Sequence, residues 1–175
     1  MQTARVRLLC ILTGFTIAVP LMFAPQCKAQ SDCQVMMKML TDAQAKLHST
    51  PAHVYTTSKI GSQSFNSEMI YANGSMYMKI NGKWSLAGSL KDMEASEKDL
   101  QQHASAKDTC HHVKDEMVGT TMATVYASHS ESAKGAVDQQ VWFSKSQGLM
   151  LRSDMSSGKV INSSRYEYGD VKAPI

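Results

Sequence analysis

Two Asn-Gly dipeptides, Asn73-Gly74 and Asn81-Gly82, interrupt a stretch in which apolar and polar residues alternate. They constrain the fold more than any other feature of the chain. A two-residue hairpin turn of the type that matches strand twist needs positive φ at both central residues, and Asn followed by Gly reaches that conformation at least cost. Phe65, Ser67, Met69 and Tyr71 alternate with polar residues up to the first turn. Met76, Met78 and Ile80 alternate between the turns, and Trp84 and Leu86 follow the second. Val54 to Ile60 is a further candidate strand. The expectation is a β-meander of short antiparallel strands.

The same period returns later. His111–Val118, Thr120–His129, Val137–Ser144, Leu149–Ser156 and Val160–Tyr168 read as strands, punctuated by Gly119, Lys134-Gly135, Gln147-Gly148 and Ser157-Gly158. Two stretches break the pattern. Asp32–His48 places Cys33, Met36, Met37, Leu40, Gln44 and Leu47 on one helical face, with Ser31 or Asp32 as cap and Ser49-Thr50-Pro51 as stop. Ser89–Ser105 reads as a short, mostly solvated helix. Nothing resembles a parallel βαβ rhythm or an internal repeat. Eight or nine strands in one domain must curl to protect their edges and bury one face. The predicted class is therefore α+β: a half-open antiparallel β-barrel whose concave side is covered by the N-terminal helix, with a short helical lid.

The N-terminus has the composition of an export signal. Arg5 and Arg7 precede the apolar run from Leu8 to Val19, and Cys27-Lys28-Ala29 puts small residues three before and immediately before a cut at Gln30. Residues 1–29 are expected to be a cleaved signal peptide and 30–175 a single periplasmic domain that does not span the membrane. A lipoprotein signal fits less well, because Gln26 occupies the place before Cys27 where a small residue is needed. Of 18 Lys and Arg, three (Arg5, Arg7, Lys28) leave with the signal, so 15 remain against 15 Asp and Glu. A domain of near-zero net charge offers no basic patch for nucleic acid. Cys10 and Cys27 also leave, and the remaining pair, Cys33 and Cys110, is expected to form one disulfide in an oxidising compartment.

Several short runs are similar to a known superfamily. Val141-Trp142-Phe143, followed by Gly148-Leu149 and Arg152, resembles a hairpin of the LolA/LolB/LppX-like periplasmic carriers. Tyr166 to Pro174 resembles their closing strand and tail, and the Asn73-Gly74 to Trp84 hairpin fits as well. The resemblance implies an unclosed antiparallel barrel with a helical lid around an apolar cavity that holds acyl chains or other lipids. The Cys33–Cys110 pair and the many polar strand residues depart from a dedicated lipoprotein transporter.

The leading expectation is accordingly a non-enzymatic binder of a lipid or other hydrophobic molecule, with no cofactor. The cavity candidates are Met36, Leu40, Phe65, Met69, Tyr71, Met76, Met78 and Trp84. Methionine is a flexible apolar filler suited to varied partners, although the same residues would serve equally well in a dry core. Two rivals remain: an envelope protein-interaction module without a small ligand, and a copper-type site using Met36, Met37, Met39, Met76, Met78, His111, His112 and His129. The metal reading is weakened because His111 and His112 point to opposite faces of a strand. No nucleophile elbow, metalloprotease helix, Walker loop or dinucleotide fingerprint is present. Adjacent Asp115 and Glu116 would diverge on a strand.

Overall fold

The structure, a computed structural model, describes residues 26–93, 108–132 and 135–175. The export segment up to residue 25, the helical reading over 94–105 and Lys134 of one predicted turn lie outside them. Helix α1 (Gln26–Lys46) precedes nine strands: β1 (Ala52–Ile60), β2 (Gln63–Ala72), β3 (Ser75–Ile80), β4 (Lys83–Ser89), β5 (Thr109–Val118), β6 (Thr121–Ser132), β7 (Gly135–Ser144), β8 (Met150–Ser157) and β9 (Val160–Tyr168). They form one antiparallel sheet in the order β4-β3-β2-β1-β9-β8-β7-β6-β5. Two meanders are thus joined at the centre, where β1 runs beside β9 from Ala52↔Tyr168 to Ile60↔Val160. Edges β4 and β5 do not pair, so the barrel stays open.

Both Asn-Gly turns take the conformation that their chemistry favours. Asn73 and Gly74 have φ of 54° and 72°, and Asn81 and Gly82 have 50° and 77°. Positive φ at both central positions aligns the flanking strands with their natural twist.

Helix α1 begins at Gln26, six residues before the expected start at Asp32. Nothing between Cys27 and Asp32 breaks a helix, and Pro25 in the sequence favours a start immediately after it. Asp32 therefore lies inside the helix, where its Oδ2 accepts the backbone N–H of His112 on β5 at 3.4 Å. The helix ends at Lys46, short of the expected His48, and Thr50 N–H bonds back to the Lys46 carbonyl at 2.7 Å in the Ser49-Thr50-Pro51 stop. Ser89 caps a helical turn at residues 90–93, its Oγ accepting the Asp92 N–H at 3.1 Å.

The core lies between α1 and one face of the sheet. Met36 and Ala43 pack on Cys110, Val141, Phe143 and Met150, with Cys33, Met39 and Leu40 alongside. Toward the other end of the helix, Leu47 packs with Ala52, Val54, Tyr71 and Leu90. Met37, expected on this stripe, is instead exposed, because the stripe that meets the sheet runs through residues 33, 36, 40, 43 and 47. A disulfide joins Cys33 to Cys110 across 77 residues of chain and fastens the helix to edge strand β5. Lys46, near the other end, donates to the Gln147 carbonyl in the turn between β7 and β8.

Candidate functional site

Strand alternation and register divide the sheet into two chemically distinct faces. The helix side takes Ala52, Val54, Thr56, Ser58 and Ile60 from β1. From β2 it takes Phe65, Ser67, Met69 and Tyr71, paired residue by residue with β1. Met76, Met78 and Ile80 of β3 continue it, since Met69 faces Met78 and Tyr71 faces Met76. On the other side of β1 come Val160, Asn162, Ser164, Tyr166 and Tyr168 of β9. Met155 and Ser153 of β8 follow, then Gln139 and Val141 of β7, then Ser128 and Tyr126 of β6. Along the described residues of these seven interior strands, no position on this face carries a charged side chain or a histidine.

The charges sit on the outer face. There His53 Nε2 meets Glu68 at 3.1 Å while Lys79 donates to the same carboxylate at 2.8 Å. The Lys79 ammonium first, and His53 second, hold the Glu68 carboxyl below its ordinary range. Arg152 pairs with Asp154 at 2.5 Å and lies 4.7 Å from the Trp142 ring. His129 Nδ1 is 2.7 Å from Asp138, whose hydrogen bond raises the imidazole pKa above its ordinary value. An open depression of about 310 Å³ lies here, walled by His111, His129, Asp138, Gln140, Asp154 and Ile161 among others. Its carboxylates already serve the surface, since Asp154 also accepts from Ser163 at 2.6 Å.

The helix side has two parts. Beneath the C-terminal half of α1, a cavity of about 110 Å³ is walled by Ala43, Gln44, Leu47, Tyr71, Met93, Met150, Tyr166 and Tyr168. Small-molecule pockets begin near ~300 Å³, so this space alone does not house one. Tyr168 donates to the Met150 carbonyl at 2.7 Å, and burial raises its phenol well above the ordinary tyrosine pKa. Away from the helix the same face opens to solvent. Ile60, Phe65, Ile80 and Met155 are 50%, 52%, 54% and 36% exposed there, with half-buried Met78 beside them. Neighbouring large apolar groups held in water mark an interaction surface rather than a packing need; on the outer face Ile161 and Leu86 are exposed as well.

The sequence-predicted residues divide accordingly. Met36 is buried in the core, with Leu40 packed against it. Tyr71, Met69 and Met76 flank the small cavity and the packing around it. Phe65 and Met78 belong to the open part. Trp84 lies on the outer face, packed on Ile70, Ala72 and Tyr77 together with Val171 and Ala173 of the C-terminal tail. The two-residue Asn81-Gly82 turn pairs Ile80 with Lys83 and so puts Trp84 opposite Lys79, on the outer face, while Met78 faces Ser85. Ile60, Ile80 and Met155 were missed as cavity candidates: Ile60 ends its strand, Ile80 stands at the end of the Met76–Met78 alternation beside the turn, and Met155 stands among serines.

Of the histidines weighed as metal ligands, His112 lies on the helix side against Tyr126, whereas His111 faces the outer depression. Among the described residues no group of three His, Cys, Asp or Glu side chains is arranged to hold a metal ion. Asp115 and Glu116 diverge, Asp115 to Lys145 at 2.6 Å and Glu116 to the Trp142 indole N–H at 2.6 Å.

This fold is similar to that of a solved lipoprotein. The chain superimposes on lipoprotein LppX from Mycobacterium tuberculosis with a TM-score of 0.51 over 79% of this chain and 96% of LppX. The fold is LppX-like. Sequence identity is 13%, so the shared feature is the backbone. LprF from Mycobacterium bovis aligns at TM-score 0.47 and 9% identity, over 80% of this chain and 95% of that one. MucB, solved in complex with MucA(peri), aligns at 0.47 and 13%, over 79% of this chain and 57% of MucB. No family model and no curated protein matches the sequence. Among the described residues, no helix is long and apolar enough to cross a membrane.

Proposed function

We propose that the protein is a non-enzymatic, extracytoplasmic carrier that holds a lipid or other hydrophobic molecule against the helix side of its sheet. The observation that carries this reading is the group of half-exposed Ile60, Phe65, Ile80 and Met155 on a face whose interior strands carry no charged side chain. The outer face carries Lys59, Lys79 and Asp138 on its strands, beside the more scattered exposed Ile161 and Leu86. The LppX-like fold supports the reading, and the disulfide supports export into an oxidising compartment. Export would begin with removal of residues 1–29 and lead to the periplasm. The ligand would lie on the open part and extend toward the cavity between α1, Tyr71 and Tyr166.

Binding of a solvatochromic hydrophobic fluorophore tests this. Wild-type protein should bind it and blue-shift its emission. Met78→Glu and Phe65→Glu should each remove that binding while leaving the far-UV spectrum unchanged. Binding that survives both substitutions in folded protein would exclude this face.

A further inference from the structure

One row of the helix-side face has a composition that packing does not require. Ser67 of β2, Thr56 of β1, Ser164 of β9 and Ser153 of β8 stand opposite one another in register, forming a belt of hydroxyls across four neighbouring strands. All four are half-buried. Thr56 Oγ1 and Ser164 Oγ are 2.8 Å apart, and Gln139 on β7 extends the belt by donating to Ser153 at 3.4 Å. Below the belt lie Val54, Met69 and Tyr166 of the packed end, and above it Phe65 and Met155 of the open end.

We infer that the hydroxyl belt Ser67–Thr56–Ser164–Ser153 binds the uncharged, oxygen-bearing part of an amphiphile and that this face discriminates against charged head groups. The inference rests on the carrier reading and adds the ligand's chemistry to it. A hydroxyl rotates to donate or accept, so it meets an ester carbonyl or an alcohol equally well, but it supplies no countercharge. A phosphate or ammonium brought onto this face would lose water without gaining an ion pair, which is strongly unfavourable. The neighbouring apolar residues accept hydrocarbon on either side. A molecule with an uncharged glyceride-like centre between hydrocarbon segments matches that sequence of surfaces; a phospholipid head does not.

Displacement of the bound fluorophore by three lipids of identical acyl chains tests this: dioleoylglycerol, the corresponding phosphatidic acid, and the corresponding trimethylammonium lipid. Dioleoylglycerol should displace at about tenfold lower concentration than either charged lipid. Ser164→Asp should remove that advantage. The milder pair Thr56→Val and Ser164→Ala, which keeps shape, should raise the concentration of dioleoylglycerol needed for displacement while leaving that of the two charged lipids the same relative to each other. Asn162→Lys, beside the belt on β9, should shift preference to phosphatidic acid. Equal or tighter binding of phosphatidic acid by the wild type would overturn the inference and leave the carrier reading standing. Failure of the fluorophore and every lipid to bind would overturn both.

Discussion

The two ends of the helix-side face are built from the same strands with the same alternation, yet they behave as different materials. At the covered end Val141 and Phe143 are completely buried and Met36 nearly so, closed over by α1. At the open end Ile60, Phe65 and Ile80 are half in water. Side-chain type does not separate them, since methionines and aromatics occur at both. Coverage does. Where the helix stripe lies down, apolar side chains become core and contribute to stability; where it does not, the same chemistry stays available to a ligand. Mutations at the two ends should therefore divide between loss of stability and loss of binding.

The largest effect belongs to the fastening of the covered end. Replacing Cys33 and Cys110 together with serine releases a 77-residue separation and should lower stability by about 4.5 kcal/mol on the chain-entropy account. Denaturant midpoints of the oxidised protein and the double variant check this, and coincident midpoints would show that the helix is held without the bond. Next is Phe143→Ala, which opens a cavity in the packed end and should cost about 3–5 kcal/mol. Fluorophore binding at the open end should survive in whatever fraction stays folded.

Phe65→Ala should show the reverse. Removing a half-exposed ring should cost less than about 1 kcal/mol while weakening fluorophore binding at least as much as any covered-end change. A large loss of stability there would mean that Phe65 is core after all. The smallest effect is electrostatic and lies at edge β5. Lys145, then Thr124 and His112, hold the Asp115 carboxyl down to about 2. Its folded pKa is depressed, so its contribution is present above the ordinary carboxylate value of about 4 and is lost as pH falls from there through about 2. The group is exposed to solvent, so acid should shift stability only slightly. Carboxyl NMR titration should place Asp115 near 2 in the wild type, and higher, toward the usual aspartate range, in Lys145→Ala.

Much of this architecture was readable from local chemistry. The Asn-Gly turns dictate their φ signs, and Val160–Tyr168 is a strand with the boundaries that its alternation predicts. Pairing of Cys33 with Cys110 followed from compartment and cysteine count. What escaped the sequence depends on tertiary relations. Trp84 read as part of the Met-aromatic face because simple alternation was carried through the Asn81-Gly82 turn, but a two-residue turn pairs Ile80 with Lys83 and so moves Trp84 to the face of Lys79. Met37 lies one turn-fraction off the stripe that the sheet selects. The hydroxyl belt was invisible because its members come from four strands, and only register brings Ser67, Thr56, Ser164 and Ser153 into one row. Coverage, the property that separates the two ends, is a contact between α1 and strands distant in sequence, which no local pattern encodes.

The central claim, that the open end holds a hydrophobic ligand, is tested most directly by native mass spectrometry of the disulfide-bonded protein recovered from cells without detergent. Spectra would be recorded before and after organic extraction. The account predicts a discrete extra mass of acyl-chain character that extraction removes and that Phe65→Glu never carries. The bare chain mass in the wild type, unchanged by extraction, would contradict it.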